Sequence, residues 1–242
     1  MKTISKKDNE VRIIAEIEES LANAIRRYVN QIPILAVDEV DISKNDSPLY
    51  DETLAHRIGL IPLKMNKLVS EKTGNSLKLS TKKEGVVYSN ELTGGLDVVY
   101  EKIPITSLKK GQELEFVAKA KFGKGADHSK FSPGLIFYRD IVDVKVDKNC
   151  PKEIVGICPR KILKSDNGRI VVEDSYKCDM CEACSDLCKK EEKGSVEFVP
   201  TKELMISIES FGQLKTEEIL SKAIEFLKKD LVSISKEISK IK

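Results

Sequence analysis

Tryptophan is absent from this chain, histidine occurs twice, and aromatic residues make up 5% of it. Bases therefore find no stacking platform of interleaved aromatic and basic side chains. The net charge is only +2 over 242 residues, which argues against a dedicated binder of nucleic acid or of an anionic membrane. No apolar run approaches the roughly 18 residues of a membrane span. The opening, MKTISKKDNEVR, is too polar for a secretory signal. These features lead us to expect a soluble, cytoplasmic protein without sequence-specific DNA contact or a membrane partner. No Ser, Cys or carboxylate stands with a base in a recognisable catalytic pattern. Flavin and dinucleotide fingerprints are also missing. The segment from Lys121 to Pro133 has glycines and lysines, but it is not G-x-x-x-x-G-K-[ST] and no apolar helix follows it. A surface loop with contact residues is expected there. Glutamine is scarce beside abundant Lys and Glu, which leans towards a heat-adapted source.

What the chain does have is six cysteines. In a reducing compartment they favour metal ligation over a disulfide framework. Cys178, Cys181, Cys184 and Cys188 stand in the spacing C-x-x-C-x-x-C-x-x-x-C, the run with which bacterial-type ferredoxins hold iron–sulfur clusters. In two-cluster ferredoxins the fourth cysteine of each run serves the other cluster. By that rule Cys178, Cys181 and Cys184 take Cys158, of the upstream Cys158-Pro159, as fourth ligand of one 4Fe–4S cluster. Without Cys158 the remaining trio suits 3Fe–4S. Cys188 belongs to a second site that the chain lacks. With Cys150 it is expected to form a disulfide or a pair of free thiols. A four-cysteine zinc site is the alternative, although zinc usually takes two separated C-x-x-C knuckles. Function stays open at this point between an electron carrier or redox sensor, a zinc-ribbon module, and a cluster that stiffens a small domain. The last is the most economical.

Periodicity organises the rest. Val11–Ile17 alternates like a strand. Ser20 to Gln31 reads as a helix with Leu21, Ala24, Ile25, Tyr28 and Val29 on its apolar face, Ser20 as N-cap and Pro33 as its stop. Ile34–Ile42 reads as a strand, and a short helix lies between Pro48 and Gly59. Six strand-like pieces follow: Ser76–Thr81, Val86–Tyr88, Leu96–Tyr100, Leu114–Ala120, Leu135–Tyr138 and Ile141–Val146. From Asn149 to Gly194 little is apolar besides the cysteines, so a domain organised by metal rather than by a core is expected. A long helix is expected from Thr216 as N-cap to Ile241. Its narrow seam, Leu220, Ile224, Leu227, Leu231, Ile234, Ile238 and Ile241, suits a neighbouring helix in this chain or in a partner.

Asn23-Ala-Ile-Arg-Arg27 with Ile32-Pro-Ile-Leu-Ala-Val-Asp-Glu-Val40 resembles the alpha motif of RNA polymerase assembly subunits. That family comprises the bacterial alpha amino-terminal domain, the third-largest subunit of eukaryotic RNA polymerase II, and the archaeal D subunits. Ser47–Leu63 and Gly125–Pro133 resemble two further blocks of the family, and the ferredoxin-like insertion is similar to that of the archaeal branch. The resemblance implies an α+β fold in three parts: a discontinuous dimerisation domain (1–41 and 203–242), a β-rich insert domain (42–149 and 195–202) and a small ferredoxin-like iron–sulfur domain (150–194). It implies a non-catalytic scaffold that pairs with a homologous subunit L through the helical seam. It also places Arg26, Arg27, His56 and Arg57 towards the second-largest subunit and the small subunits N and P. Residues 64–90 hold no cysteine, so the zinc carried there by some relatives is not expected.

Overall fold

The computed structural model describes residues 1–65, 76–166 and 168–240. The chain begins with β1 (Lys2–Lys7), β2 (Glu10–Ala15) and α1 (Glu19–Tyr28), followed by β3 (Pro33–Asn45) and α2 (Asp51–Gly59). Next come β4 (Ser76–Thr81), β5 (Gly85–Tyr88), β6 (Thr93–Gly94), β7 (Pro104–Leu108), β8 (Leu114–Lys124) and β9 (Gly134–Val146). The cysteine-bearing region contains α3 (Ile154–Ile157), β10 (Leu163–Asp166), β11 (Arg169–Val172) and α4 (Ala183–Lys190). The chain closes with β12 (Val196–Ser210) and α5 (Thr216–Lys240). The fold mixes α and β and is rich in sheet. It divides into two compact units, residues 1–4, 12–19 and 138–206, and residues 5–11, 20–137 and 207–242. One four-stranded sheet runs in the order β1-β2-β12-β9.

In the larger unit a second sheet runs β3-β8-β4-β6. The first half of β3, Ile34 to Val37, is a continuous apolar run and is wholly buried, whereas the second half alternates. Antiparallel pairing with β8 runs from Pro33 opposite Lys124 to Asn45 opposite Leu114, with a shift between Val37 and Glu39. That bulge leaves Asp38 without a partner in the ladder and turns it into a side-chain anchor. Helix α2 carries acidic Asp51 and Glu52 in its first turn and His56 and Arg57 in its last, matching the helix dipole. Its inward residues Leu54 and Ile58 are fully buried in a core with Leu35, Val37, Leu77 and Phe116. Each such side chain contributes about 1.5–3 kcal/mol of burial.

Helix α1 is preceded by no cap at Ser20, because the helix already includes Glu19. Of its expected apolar face, Ile25 and Val29 are buried and Ala24 and Tyr28 half-buried, whereas Leu21 is exposed and Ala22 is buried instead. A tighter 3₁₀ turn at Val29–Gln31 follows α1 before Pro33. Three further expectations change. Residues 96–100 form no regular strand, only a bridge between Leu63 and Val98. The pieces predicted on either side of Arg139 are one strand, β9. Thr216 is the first residue of α5 rather than its cap. At Gly134 an added Cβ would stand 2.1 Å from the Glu209 carbonyl oxygen and 3.0 Å from Ile219 Cδ1, so only glycine fits there.

The smaller unit corrects the expectation of a coreless metal domain. Val142 and Val144 from β9 and Val196 from β12 close over Ile154, Ile162 and Leu163, together with Cys150, Cys178, Cys184 and Cys188. The apolar material missing from residues 150–194 comes from the long strands on either side. A β10–β11 hairpin, with Leu163 opposite Val172 and Asp166 opposite Arg169, completes this part.

Candidate functional site

Four cysteines border one small pocket: Cys158, Cys178, Cys181 and Cys184, together with Val144, Ile162, Leu163 and Phe198. Cys158 ends α3 and precedes Pro159, with its carbonyl accepting from the Lys161 amide at 3.0 Å. Cys178 ends a 3₁₀ turn, Ser175–Lys177, that the Asp174 side chain caps by accepting from the Tyr176 amide at 3.1 Å. Beyond it the backbone passes twice through left-handed conformations at non-glycine residues, Met180 (φ 51°) and Glu182 (φ 60°). These two reversals wrap the chain around the pocket and deliver Cys184 on α4. Cys178 and Cys184 are buried, Cys158 is half-buried and Cys181 is exposed. Burial pushes the Cys178 and Cys184 thiols up from their ordinary value. As thiolates they therefore need a cation to compensate them. Among the described residues no three His, Cys, Asp or Glu side chains close to the spacing around a single metal ion. The four cysteines line the same pocket, and thiolates are the soft donors that iron–sulfur centres use.

Cys150 and Cys188 lie outside that pocket's lining. Their sulfurs are 3.1 Å apart with the Cys188 thiol donating, and the Cys150 thiol donates to the Ser195 carbonyl at 3.2 Å. Burial, and then the hydrogen bond to Cys150, push the Cys188 thiol up to about 12. Gly194 (φ +64°) lies against this pair, and an added Cβ would meet the Cys150 amide nitrogen at 2.7 Å. The loop therefore requires glycine both for its backbone angle and for the space.

The second candidate site is the face of α5. Ile219 and Ala223 are buried and hold the start of the helix to its own unit. The predicted seam is a different stripe. Leu220 and Leu227 are half-buried, whereas Ile224 is 42% exposed, Leu231 57%, Ile234 52% and Ile238 59%. Ile241 lies outside the described residues. The Tyr28 hydroxyl donates to Asp230 at 3.0 Å and ties the middle of the helix to the end of α1.

Arg26 and Arg27, both exposed, line one recess with Asn23, Tyr28 and Asp230, and Asn23 Oδ1 accepts from the Arg26 guanidinium at 2.9 Å. His56 lines another recess with Asp38, His128 and Lys130, where both histidines of the chain meet. Arg57 donates to the Pro104 carbonyl at 2.6 Å. Sequence pattern missed Asp38, whose carboxylate joins Lys121 at 2.6 Å and Lys130 at 2.7 Å, and missed Arg139. The signal for Arg139 is its place between two strand-like pieces, Leu135–Tyr138 and Ile141–Val146.

Residues 40–137 match the insert domain of RNA polymerase Rpb3/RpoA, which sets the class as RNA polymerase subunits. The chain is 31% identical to the DNA-directed RNA polymerase subunit Rpo3 of Methanosphaera stadtmanae, covering 93% of each chain. It is 34% identical to that of Methanobrevibacter smithii over 91% of this chain and 90% of the relative. The RNA polymerase II subunit Rpb3 of Dictyostelium discoideum is 27% identical over 95% and 91%. The chain belongs to the Rpo3/Rpb3 family of DNA-directed RNA polymerase subunits and is a non-catalytic assembly subunit of that complex. A separate electron-transfer function finds no support among these relatives. No helix among the described residues is long and apolar enough to cross a membrane.

Proposed function

We propose that this subunit, in the cytoplasm, pairs with the smaller homologous subunit L and that the heterodimer is the platform on which the catalytic subunits gather. The observation that carries this proposal is the uncovered stripe on α5. Four large aliphatic residues more than two-fifths exposed along one helix face are a costly surface for a lone chain. Covering that stripe, together with neighbouring parts of residues 1–41 and 203–242, requires a partner interface above about 2,000 Å², the range of obligate pairs. The insert domain (42–149 and 195–202) then presents His56 and Arg57, and α1 presents Arg26 and Arg27, to the second-largest subunit and to subunits N and P. Co-expression with subunit L tests this proposal. A stable 1:1 complex is expected, with aggregation or self-association when the chain is made alone.

The ferredoxin-like part (150–194) holds one 4Fe–4S cluster on Cys158, Cys178, Cys181 and Cys184, or 3Fe–4S where Cys158 does not ligate, and no zinc. Bound there, the cluster supplies four strong iron–thiolate bonds that cross-link α3, the 178–184 wrap and α4. The protein's own contribution is to bury two of the sulfurs and to bend the backbone at Met180 and Glu182. Cys150 and Cys188 stay outside the ligand set as paired free thiols, and only a two-electron oxidant that removes both thiol protons would join them as a disulfide. As-purified protein should be brown, with broad absorbance near ~400 nm. Colourless protein with one zinc per chain would overturn the assignment.

A further inference from the structure

Arg139 carries an inference that rests on the iron–sulfur assignment and goes beyond it. This residue sits in the middle of β9, half-buried, with its guanidinium turned to the cysteine wrap. One nitrogen donates to the Cys178 carbonyl at 2.6 Å. The other donates to the Tyr176 carbonyl and lies 3.5 Å from Met205 Sδ. Among the described residues no carboxylate pairs with it; its partners are two neutral carbonyls and a thioether. A half-buried cation with only neutral partners keeps its charge uncompensated, and proteins rarely leave one so. An iron–sulfur core held by four thiolates is net anionic, and Cys178 is the ligand whose backbone the guanidinium grips.

We infer that Arg139 is a positioning residue of the iron–sulfur site, fixing the Tyr176 and Cys178 carbonyls and placing the balancing positive charge beside the first ligand. Two effects follow. The segment entering the strained wrap at Met180 and Glu182 is held by a strand rather than by a loop, so the ligand set is preorganised. Cluster potential depends on nearby charge and hydrogen bonding, and a cation beside the centre favours its reduced, more negative state. Removing the charge therefore shifts the potential to more negative values.

The test uses the full chain co-expressed with subunit L, in three variants. Arg139→Lys keeps the charge and loses the fork, Arg139→Gln keeps a donor and loses the charge, and Arg139→Met loses both. The readouts are iron and acid-labile sulfide per chain, decay of the ~400 nm absorbance in air, and the midpoint from an EPR-monitored titration. Recovery of the heterodimer serves as the check on folding. We expect Arg139→Gln to lose the cluster about tenfold faster, in keeping with a lost charge-assisted hydrogen bond. Its midpoint should move negative, while Arg139→Lys stays near wild type in potential. Wild-type chain without iron would sink the cluster assignment itself. Wild type with a cluster, beside Arg139→Gln with unchanged decay and midpoint, would sink the role given to Arg139. So would an Arg139→Lys midpoint displaced as far as that of Arg139→Gln. If neither Arg139→Gln nor Arg139→Met retains enough cluster to titrate, Arg139→Lys decides: retention with a near-native midpoint supports the role, and loss equal to Arg139→Met refutes it.

Discussion

Asp38 shows how one carboxylate can lock three elements together. A bulge excludes it from the β3–β8 ladder, and its oxygens meet Lys121 from β8 and Lys130 from the 3₁₀ turn before β9. Hydrogen bonds from Lys121 first and Lys130 second hold its carboxyl below the usual carboxylate range. A depressed value stabilises the fold above the unfolded value of 3.8, and that contribution fades as pH falls through the lower folded value. Asp38→Asn should therefore cost about 1 kcal/mol at pH 7, discounted for partial exposure. Urea midpoints of mutant and wild type should converge only once the pH has fallen below the lowered folded value of Asp38. A gap that persists unchanged at that pH would assign the effect to packing. At Gly194 the account concerns space rather than charge. Gly194→Ala combines a left-handed backbone with a Cβ contact on the Cys150 amide and should destabilise the smaller unit by about 1–3 kcal/mol. Hydrogen exchange should show the loss in residues 150–194 and leave β3 and β8 protected.

Among the elements, α5 separates what holds the chain together from what it offers outward. Ile219 and Ala223 are buried within its own unit, and the stripe through Leu231 and Ile234 is not. Leu231→Glu should leave the thermal stability of the isolated chain within about 0.5 kcal/mol, as for an exposed position, and should abolish recovery of subunit L. The aliphatic stripe of α5 was legible because its steps of four and three repeat without glycine or proline. The ends of α1 were less legible: Glu19 rather than Ser20 opens the helix and a 3₁₀ turn closes it, and periodicity carries no trace of either. Strands β4 and β3 followed from alternation and apolar runs. β9 was split in two because Arg139 and Asp140 look like a turn until their partners, the carbonyls of residues distant in sequence, are known. The long β12 was missed because Val196-Glu-Phe-Val-Pro has a proline and no clean period of two. Three cysteines of the pocket, Cys178, Cys181 and Cys184, were legible from local spacing, whereas Cys158 was legible only through the crossover rule of two-cluster ferredoxins. The core around them was not, since Val142, Val144 and Val196 arrive from outside the segment.

At the scale of the whole molecule, two units divide the labour. One contains a compact core lined with cysteines, and the other contains the insert sheet and the helices with an exposed aliphatic face. Cys181→Ser separates them experimentally. The proposed ligand set predicts loss of the ~400 nm absorbance and faster proteolysis within residues 150–194, with the heterodimer still recovered. Loss of the heterodimer in that variant would show that the cluster supports the dimer face directly. The central claim is that α5 presents a partner-binding face, and the most direct measurement is the mass of the co-expressed pair by light scattering, wild type beside Leu231→Glu with Ile234→Glu. The account predicts a 1:1 complex with subunit L for the wild type and none for the double variant. A wild-type chain that runs as a well-behaved monomer beside subunit L would contradict it.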